Sequence, residues 1–153
     1  MRSVERRLER LVDGAVGRFF RGGVRPVEIG HRLVREMADS RSVGVKGQSV
    51  VANHFEVQLN ETDLARFADV EESLVRELCE AAREAARDDG WNFMGPVQVV
   101  LIESTDVRPG QLRIDARMKE ADGATGVLHL SNGQQVVLGE YRLTFGRLPE
   151  CTI

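Results

Sequence analysis

The spacing of apolar residues changes along this chain, and that change constrains the fold more than any other feature. Up to about residue 40, and again over 61–88, apolar residues recur every three or four positions, as in helices with one buried face. Over 42–59 and after residue 90 they alternate or form short runs, which predicts strands. This α+β order favours helices packed on one face of a small sheet.

Local signals place the helix boundaries. Pro26 suits the first position of a helix, where its missing N–H costs nothing. Asn60 is predicted to cap a short helix, with Asp63 as a weak capping-box acid, and Gly90 is predicted to end the longest helix. Gly22-Gly23 is predicted to end the first one. The predicted helices span residues 3–20, 26–40, 61–67 and 69–88.

The strand predictions rest on alternation and on turn residues. Residues 42–59 predict one bent strand or two strands, with a break at Gly47 or at Ala52-Asn53. The apolar run over 97–102 predicts a buried strand. Residues 112–116 predict its neighbour, reached across the turn at residues 108–110.

Residues 119–126 divide the chain, because they are small, polar and glycine-containing, as in a linker. Three short β-like pieces follow, and Asn132-Gly133 between the first two is a strong hairpin signal. The pieces span residues 127–130, 135–138 and 141–145. The predicted organisation is therefore an α+β domain over 1–118, a linker, and an incomplete all-β segment over 127–153.

Composition and charge exclude several classes of function. The formal net charge of -3 argues against a general nucleic-acid binder. Residues 1–41 nevertheless carry ten arginines against six acidic residues, which suits an acidic partner or an anionic membrane surface. No apolar run approaches the roughly 20 residues of a membrane span. The charged start is unlike a signal peptide, and the two distant cysteines fit a reducing, cytoplasmic setting.

No combination of residues indicates catalysis, a cofactor or a metal. His31, His54 and His129 fall in three different elements, with no cysteine or carboxylate at ligand spacing. We predict that His31 lies at the surface or an interface and that His54, at a presumed strand break, is solvated. Phosphate-binding loops, dinucleotide fingerprints and nucleophile motifs are absent from the sequence.

The carboxyl-terminal segments 128–139 and 141–147 resemble the start of forkhead-associated (FHA) domains. In that family a hairpin leads into a strand that ends in Gly-Arg, followed by a Cys-Asp-Ile-like step, and here Gly146-Arg147 precede Cys151-Thr152-Ile153. The resemblance implies that Arg147 contacts a phosphothreonine, whose charge suits a guanidinium fork, and that Gly146 shapes the loop. The serine, histidine and asparagine that the family also uses have no counterpart here. We therefore expect this truncated FHA start to bind no phosphopeptide by itself.

The amino-terminal part resembles the amino-terminal domain of actinobacterial FhaA-type proteins, through several separated motifs that occur in order. These motifs span residues 4–14, 19–21, 24–30, 33–37, 51–57, 64–67 and 93–97. In that family the domain precedes an FHA domain, so the two resemblances agree. Together they imply a non-enzymatic cytoplasmic scaffold in Ser/Thr kinase signalling, linked to cell-wall synthesis.

The implied partners are a Ser/Thr protein kinase and a phosphothreonine-containing protein, with peripheral membrane proximity through them and no nucleic acid. No cofactor is implied. Thr125 in the linker is a candidate phosphosite, and a candidate docking surface consists of Arg6, Arg7 and Arg10. The alternative is a membrane-surface or nucleic-acid binding module that uses the arginines of the first helix. An enzyme of unknown type is disfavoured, because catalytic groups do not cluster.

Overall fold

The computed structural model describes residues 23–44, 47–120, 126–130, 135–138, 144 and 146. Within these residues the helices are α1 (Pro26–Asp39), α2 (Glu61–Phe67) and α3 (Glu71–Asp89). The strands are β1 (Ser42–Val43), β2 (Ser49–Val50), β3 (His54–Leu59), β4 (Gln98–Glu103), β5 (Leu112–Arg117), β6 (Gly126–His129) and β7 (Gln135–Leu138). The predicted α+β class is confirmed. The helix predicted over 3–20 lies outside the described residues.

Helix α1 begins at Pro26, as predicted, and buries one face. The Glu28 carboxylate accepts a hydrogen bond from the Arg25 N–H at 3.0 Å, which satisfies a backbone donor before the first turn. The side chains of Ile29, Leu33 and Met37 are fully buried. These positions follow the helical period, so the apolar stripe in the sequence is the stripe that packs.

Helices α2 and α3 begin and end close to their predicted positions. The Asn60 side chain caps α2 by accepting from the Thr62 N–H at 3.2 Å. Helix α3 ends at Gly90, whose φ of 68° lies in the left-handed region that glycine adopts at least cost. Its buried face consists of Leu74, Leu78, Ala81, Ala82, Ala85 and Ala86, and the small alanines allow close packing.

The main sheet has three strands in the order β4-β3-β5. Strands β3 and β4 are parallel, and α2 and α3 form the crossover between them. Strand β5 pairs antiparallel with β3, so that Val57 lies between Leu101 on one side and Ile114 on the other. The helices pack on one face, where Phe55, Val57 and Leu59 are fully buried.

The prediction that residues 112–116 neighbour the strand at 97–102 is wrong, because β3 separates β4 from β5. The connection between β4 and β5 is anchored on α2 and does not form a tight hairpin. The Asn60 amide donates to the Val107 carbonyl oxygen at 3.2 Å, and the Gly110 N–H donates to Asp63 Oδ2 at 2.6 Å. These bonds hold the connection across the end of β3, so that β5 pairs with β3 on the side opposite β4.

Both predicted breaks within 42–59 occur. Strands β1 and β2 form a short antiparallel hairpin around Gly47, whose φ is 78°. Residues 51–53 then precede β3 without belonging to a strand. Strands β6 and β7 form a second antiparallel hairpin, in which His129 pairs with Gln135. The two strands match the predicted pieces, whereas the turn at Asn132-Gly133 falls outside the described residues.

Candidate interaction surface

The outer edge of β4 is unpaired within the described part of the chain. The Gln98 N–H donates to Asn53 O and the Ser104 N–H donates to Leu59 O, each at 2.8 Å, so the even-numbered residues of β4 hydrogen bond toward β3. Since the backbone groups of alternate residues point to opposite sides of a parallel strand, those of Val99, Leu101 and Glu103 point outward. Such an edge is a template for another strand.

A groove separates this edge from α2 and α3, with a cavity volume of about 540 Å³. Its lining residues are Ala68, Glu71, Glu72, Val75, Val99, Val100 and Leu101. The Val99 and Leu101 side chains are buried beneath it, and the Cys79 thiol lies 3.7 Å from the Val97 carbonyl oxygen. The groove therefore has an apolar floor beside an accessible backbone edge.

One end of the groove is acidic. Glu71 and Glu72 are exposed in the first turn of α3, where carboxylates are favoured by the helix dipole. Glu103, at the end of β4, is exposed and lies on the same face of the strand as Leu101. Among the described residues, none forms an ion pair with these three carboxylates. This end of the groove therefore suits a positively charged group.

The prediction of a buried strand over 97–102 is only half right. Val97, Val99 and Leu101 are buried, but Val100 is 40% exposed. A continuous apolar run is typical of a strand that is covered on both faces. Here the helices cover one face, and Val100 and Ile102 lie on the other. The apolar residues of β4 therefore flank an edge instead of filling a central position.

The face of the sheet opposite the helices carries a polar ladder centred on β3. His54 Nδ1 lies 3.3 Å from Gln98 Oε1, and its Nε2 lies 3.6 Å from Glu56. Arg117 also reaches Glu56, at 3.5 Å. The prediction that His54 is solvated is wrong: it is 9% exposed, because it begins the central strand and is shielded by its neighbours.

Asn53 is a buried anchor that the sequence indicated only as a strand break. It is 1% exposed. Its Nδ2 donates to the carbonyl oxygens of Pro96 and Lys119 at 3.0 and 2.9 Å, and its Oδ1 accepts from the Lys119 N–H at 2.8 Å. One amide therefore joins the start of β3 to the segments before β4 and after β5.

Asp63 is a second buried anchor, and the prediction of a capping-box role is wrong. Its carboxylate accepts from the N–H groups of Val24 and Gly110, at 3.4 and 2.6 Å. Arg66 lies 3.3 Å from the same carboxylate. A Cβ atom at Gly23 would overlap the ends of the Arg66 and Asp63 side chains, so glycine favours the close approach of this segment to α2.

A second cavity, of about 490 Å³, lies at the end of α3. Arg83, Arg87, Trp91 and Phe93 contribute to its lining. Arg83 is paired with Glu80 at 2.8 Å. In the described part of the chain, every buried side-chain nitrogen or oxygen has a hydrogen-bond partner. The buried polar groups thus serve to hold segments together.

Most of the sequence-predicted site residues lie outside the described residues. This holds for Arg147, for Thr125 and for the proposed docking arginines Arg6, Arg7 and Arg10. Gly146 is described and lies exposed at a bend. The groove beside β4 was missed, and the only signal for it was the apolar run itself. Whether such a strand is central or at an edge depends on strand order.

The described residues provide neither a metal site nor a membrane-spanning helix. No group of three or more His, Cys, Asp or Glu side chains is placed to hold a metal ion there. Within the same residues, no helix has the length and hydropathy needed to span a membrane. His31 is half-buried on α1, and His129 is exposed at the end of β6.

Comparisons with known proteins agree on the amino-terminal domain. Residues 1–115 match the family described as "FhaA, N-terminal domain". A solved structure named "Rv0020c_Nter structure" is similar in fold, with a TM-score of 0.58 and 24% identity over 67% of this chain and 77% of that one. No match is found among the curated proteins. Because the family match covers most of the sequence, this chain belongs to the FhaA N-terminal domain family.

Proposed function

We propose that this chain is the amino-terminal part of a non-enzymatic adaptor in Ser/Thr kinase signalling. In this proposal the α+β domain over 1–118 docks proteins, 119–126 is a linker, and an FHA domain that begins at residue 127 recognises phosphothreonine. Membership of the FhaA N-terminal family supports the first part. The FHA-like sequence that follows supports the second, because the two elements occur together in FhaA-type proteins.

The observation that carries the docking role is the unpaired edge of β4 beside an apolar groove. Proteins usually protect a strand edge, since it invites pairing with another chain. This edge has no partner among the described strands, and the floor of the groove beside it, formed by Val75, Val99 and Leu101, is apolar. A surface of this kind serves recognition of another polypeptide.

The phosphothreonine role rests on Arg147. A phosphothreonine carries close to two negative charges, and an arginine fork binds its oxygens through two parallel charge-assisted hydrogen bonds. The β6–β7 hairpin precedes Arg147 as strands do in the FHA resemblance. The proposed phosphopeptide residues are therefore Arg147 and Gly146, acting within a complete FHA domain.

The remaining parts of the proposal concern the partners. They are a Ser/Thr kinase of the cell-wall-regulating type and a phosphothreonine-containing protein tied to peptidoglycan synthesis, in the cytoplasm of an actinobacterium. Arg6, Arg7 and Arg10 are the proposed kinase-docking surface, and Thr125 is the proposed phosphosite. Cosedimentation with anionic vesicles at about 150 mM salt tests the alternative that these arginines bind a membrane, because such binding weakens steeply with salt.

The deciding experiment uses a chain extended through a complete FHA domain. Its affinity for a phosphothreonine peptide and for the unphosphorylated peptide is measured by calorimetry. Arg147→Ala should weaken binding at least tenfold, about the worth of one charge-assisted bond. Arg147→Lys should retain part of the affinity, because lysine supplies a point charge without the two-pronged geometry of arginine. Arg108→Ala, in an exposed turn, is the matched control. Equal affinity for the two peptides, or unchanged binding by Arg147→Ala, would refute the proposal.

A further inference from the structure

The edge of β4 has the geometry to accept one more strand. The outward backbone groups of Val99, Leu101 and Glu103 offer alternating donors and acceptors along five residues. At the amino end, the Cys79 thiol already contacts the Val97 carbonyl oxygen. The accessible length is therefore the part of β4 that runs from Val99 to its carboxyl end.

The side chains around this edge define what the added strand must carry. Its residues opposite Val99 and Leu101 would face the groove and contact Val75 and Ala68, so they should be small or β-branched and apolar. Its alternate residues would lie beside Val100 and Ile102 on the opposite face. A short apolar segment fits both sides of the edge.

Pairing geometry favours one direction for the added strand, and charge determines which of its ends is basic. Glu71, Glu72 and Glu103 form no ion pair with another described residue. They lie toward the carboxyl end of β4, because α3 runs antiparallel to β4 and reaches Val97 only at Cys79. Antiparallel pairing is slightly more stable per residue than parallel pairing. In an antiparallel arrangement the amino end of the incoming segment lies against these carboxylates, so a lysine or arginine belongs there.

We propose that the groove beside β4 binds an extended peptide segment of a partner protein, as an antiparallel fourth strand, with basic residues preceding a short β-branched apolar run. This inference rests on the proposed docking role of the domain. Recognition combines backbone hydrogen bonds, which give affinity, with the groove and carboxylates, which give specificity.

The probe is the peptide acetyl-Lys-Arg-Val-Thr-Val-Thr-Val-amide, titrated into the 153-residue chain. The reversed peptide, acetyl-Val-Thr-Val-Thr-Val-Arg-Lys-amide, should bind at least fivefold more weakly. In the proposed register each valine N–H points at β4 and each threonine N–H points away. N-methylation of the middle valine should weaken binding at least tenfold, whereas N-methylation of the neighbouring threonine should not.

Variants of the chain locate the site without touching its core. Ala68 is exposed and lines the groove, so Ala68→Trp should fill the groove and weaken binding at least tenfold. Ala65→Trp is the matched control three residues earlier, in α2, because Ala65 is exposed and does not line the groove. Glu71→Gln combined with Glu72→Gln should weaken binding about threefold at low salt, as expected for exposed charges.

Several outcomes would overturn the proposal. Equal binding of the two N-methylated peptides excludes strand addition, and equal binding by Ala68→Trp and Ala65→Trp places the peptide elsewhere. If the chain alone sediments as a dimer that Ala68→Trp but not Ala65→Trp dissociates, a second copy occupies the edge. Each outcome leaves the Arg147 test of phosphothreonine binding unaffected, so a failure of this inference is distinguishable from a failure of that function.

Discussion

Replacing Asp63 by alanine should destabilise the domain more than most single changes, because this one carboxylate joins three segments. It is 1% exposed and accepts backbone hydrogen bonds from Val24 and Gly110. It also pairs with Arg66. Alanine removes all of these interactions together and leaves the segment before α1 and the β4–β5 connection without their common acceptor.

The magnitude follows from the geometry of each interaction. The 2.6 Å bond from the exposed Gly110 should contribute about 1.5 kcal/mol, the lower end for a charged acceptor. The 3.4 Å bond from Val24 is weaker, but Val24 is buried and its N–H would lose its partner, at about 1 kcal/mol. Arg66 is partly solvated, so its pair adds about 0.5 kcal/mol. The expected loss is about 3 kcal/mol.

Urea unfolding followed by fluorescence is the assay, since Trp91 is the only tryptophan and is partly buried. With a urea slope of about 1–3 kcal/mol/M, a loss of about 3 kcal/mol should lower the denaturation midpoint by roughly 1–3 M and leave the slope unchanged. Asp63→Asn keeps an acceptor and should cost about half as much. Asp69→Ala, at an exposed position, should cost about 0.5 kcal/mol or less. A loss below about 1 kcal/mol for Asp63→Ala would show that Asp63 is no anchor.

Two further predictions use the same assay. Asn53→Ala should cost about 2–3 kcal/mol, because three hydrogen bonds of a buried side chain are lost and backbone groups of Pro96 and Lys119 lose their partner. A cost no larger than that of the exposed control Gln111→Ala would contradict this. Gly90→Ala should cost about 1 kcal/mol, because its φ of 68° is strained for alanine although no atom lies near the added Cβ. Gly90→Asn should cost less than Gly90→Ala. An alanine variant as stable as the unsubstituted chain would refute the argument from φ.

The helices could be predicted from the sequence because their signals are local. Pro26, Asn60 and Gly90 act on backbone groups within a few residues of themselves, and the apolar stripes follow the helical period. The α+β class followed from these elements. The position of His54 did not, because its burial depends on Gln98, which is 44 residues distant and meets it only in the folded sheet.

The strand order could not be predicted, because it depends on contacts between distant residues. A turn at Arg108-Pro109-Gly110 favours a hairpin, and for that reason the sequence predicted β5 beside β4. The bonds from Asn60 to Val107 and from Gly110 to Asp63 each join residues 47 positions apart. The spacing of apolar residues does not indicate such bonds.

The groove beside β4 depends on the same contacts between distant residues, so it could not be predicted from the sequence either. If β5 lay beside β4, a neighbouring strand would cover the outward groups of Val99, Leu101 and Glu103. Because the connection is anchored at α2, β5 pairs with β3, and no described strand covers the β4 edge next to the groove. If the proposed strand addition occurs, the buried carboxylate of Asp63 should affect binding as well as stability, because it helps to direct β5 to β3 and so leaves the β4 edge for a partner.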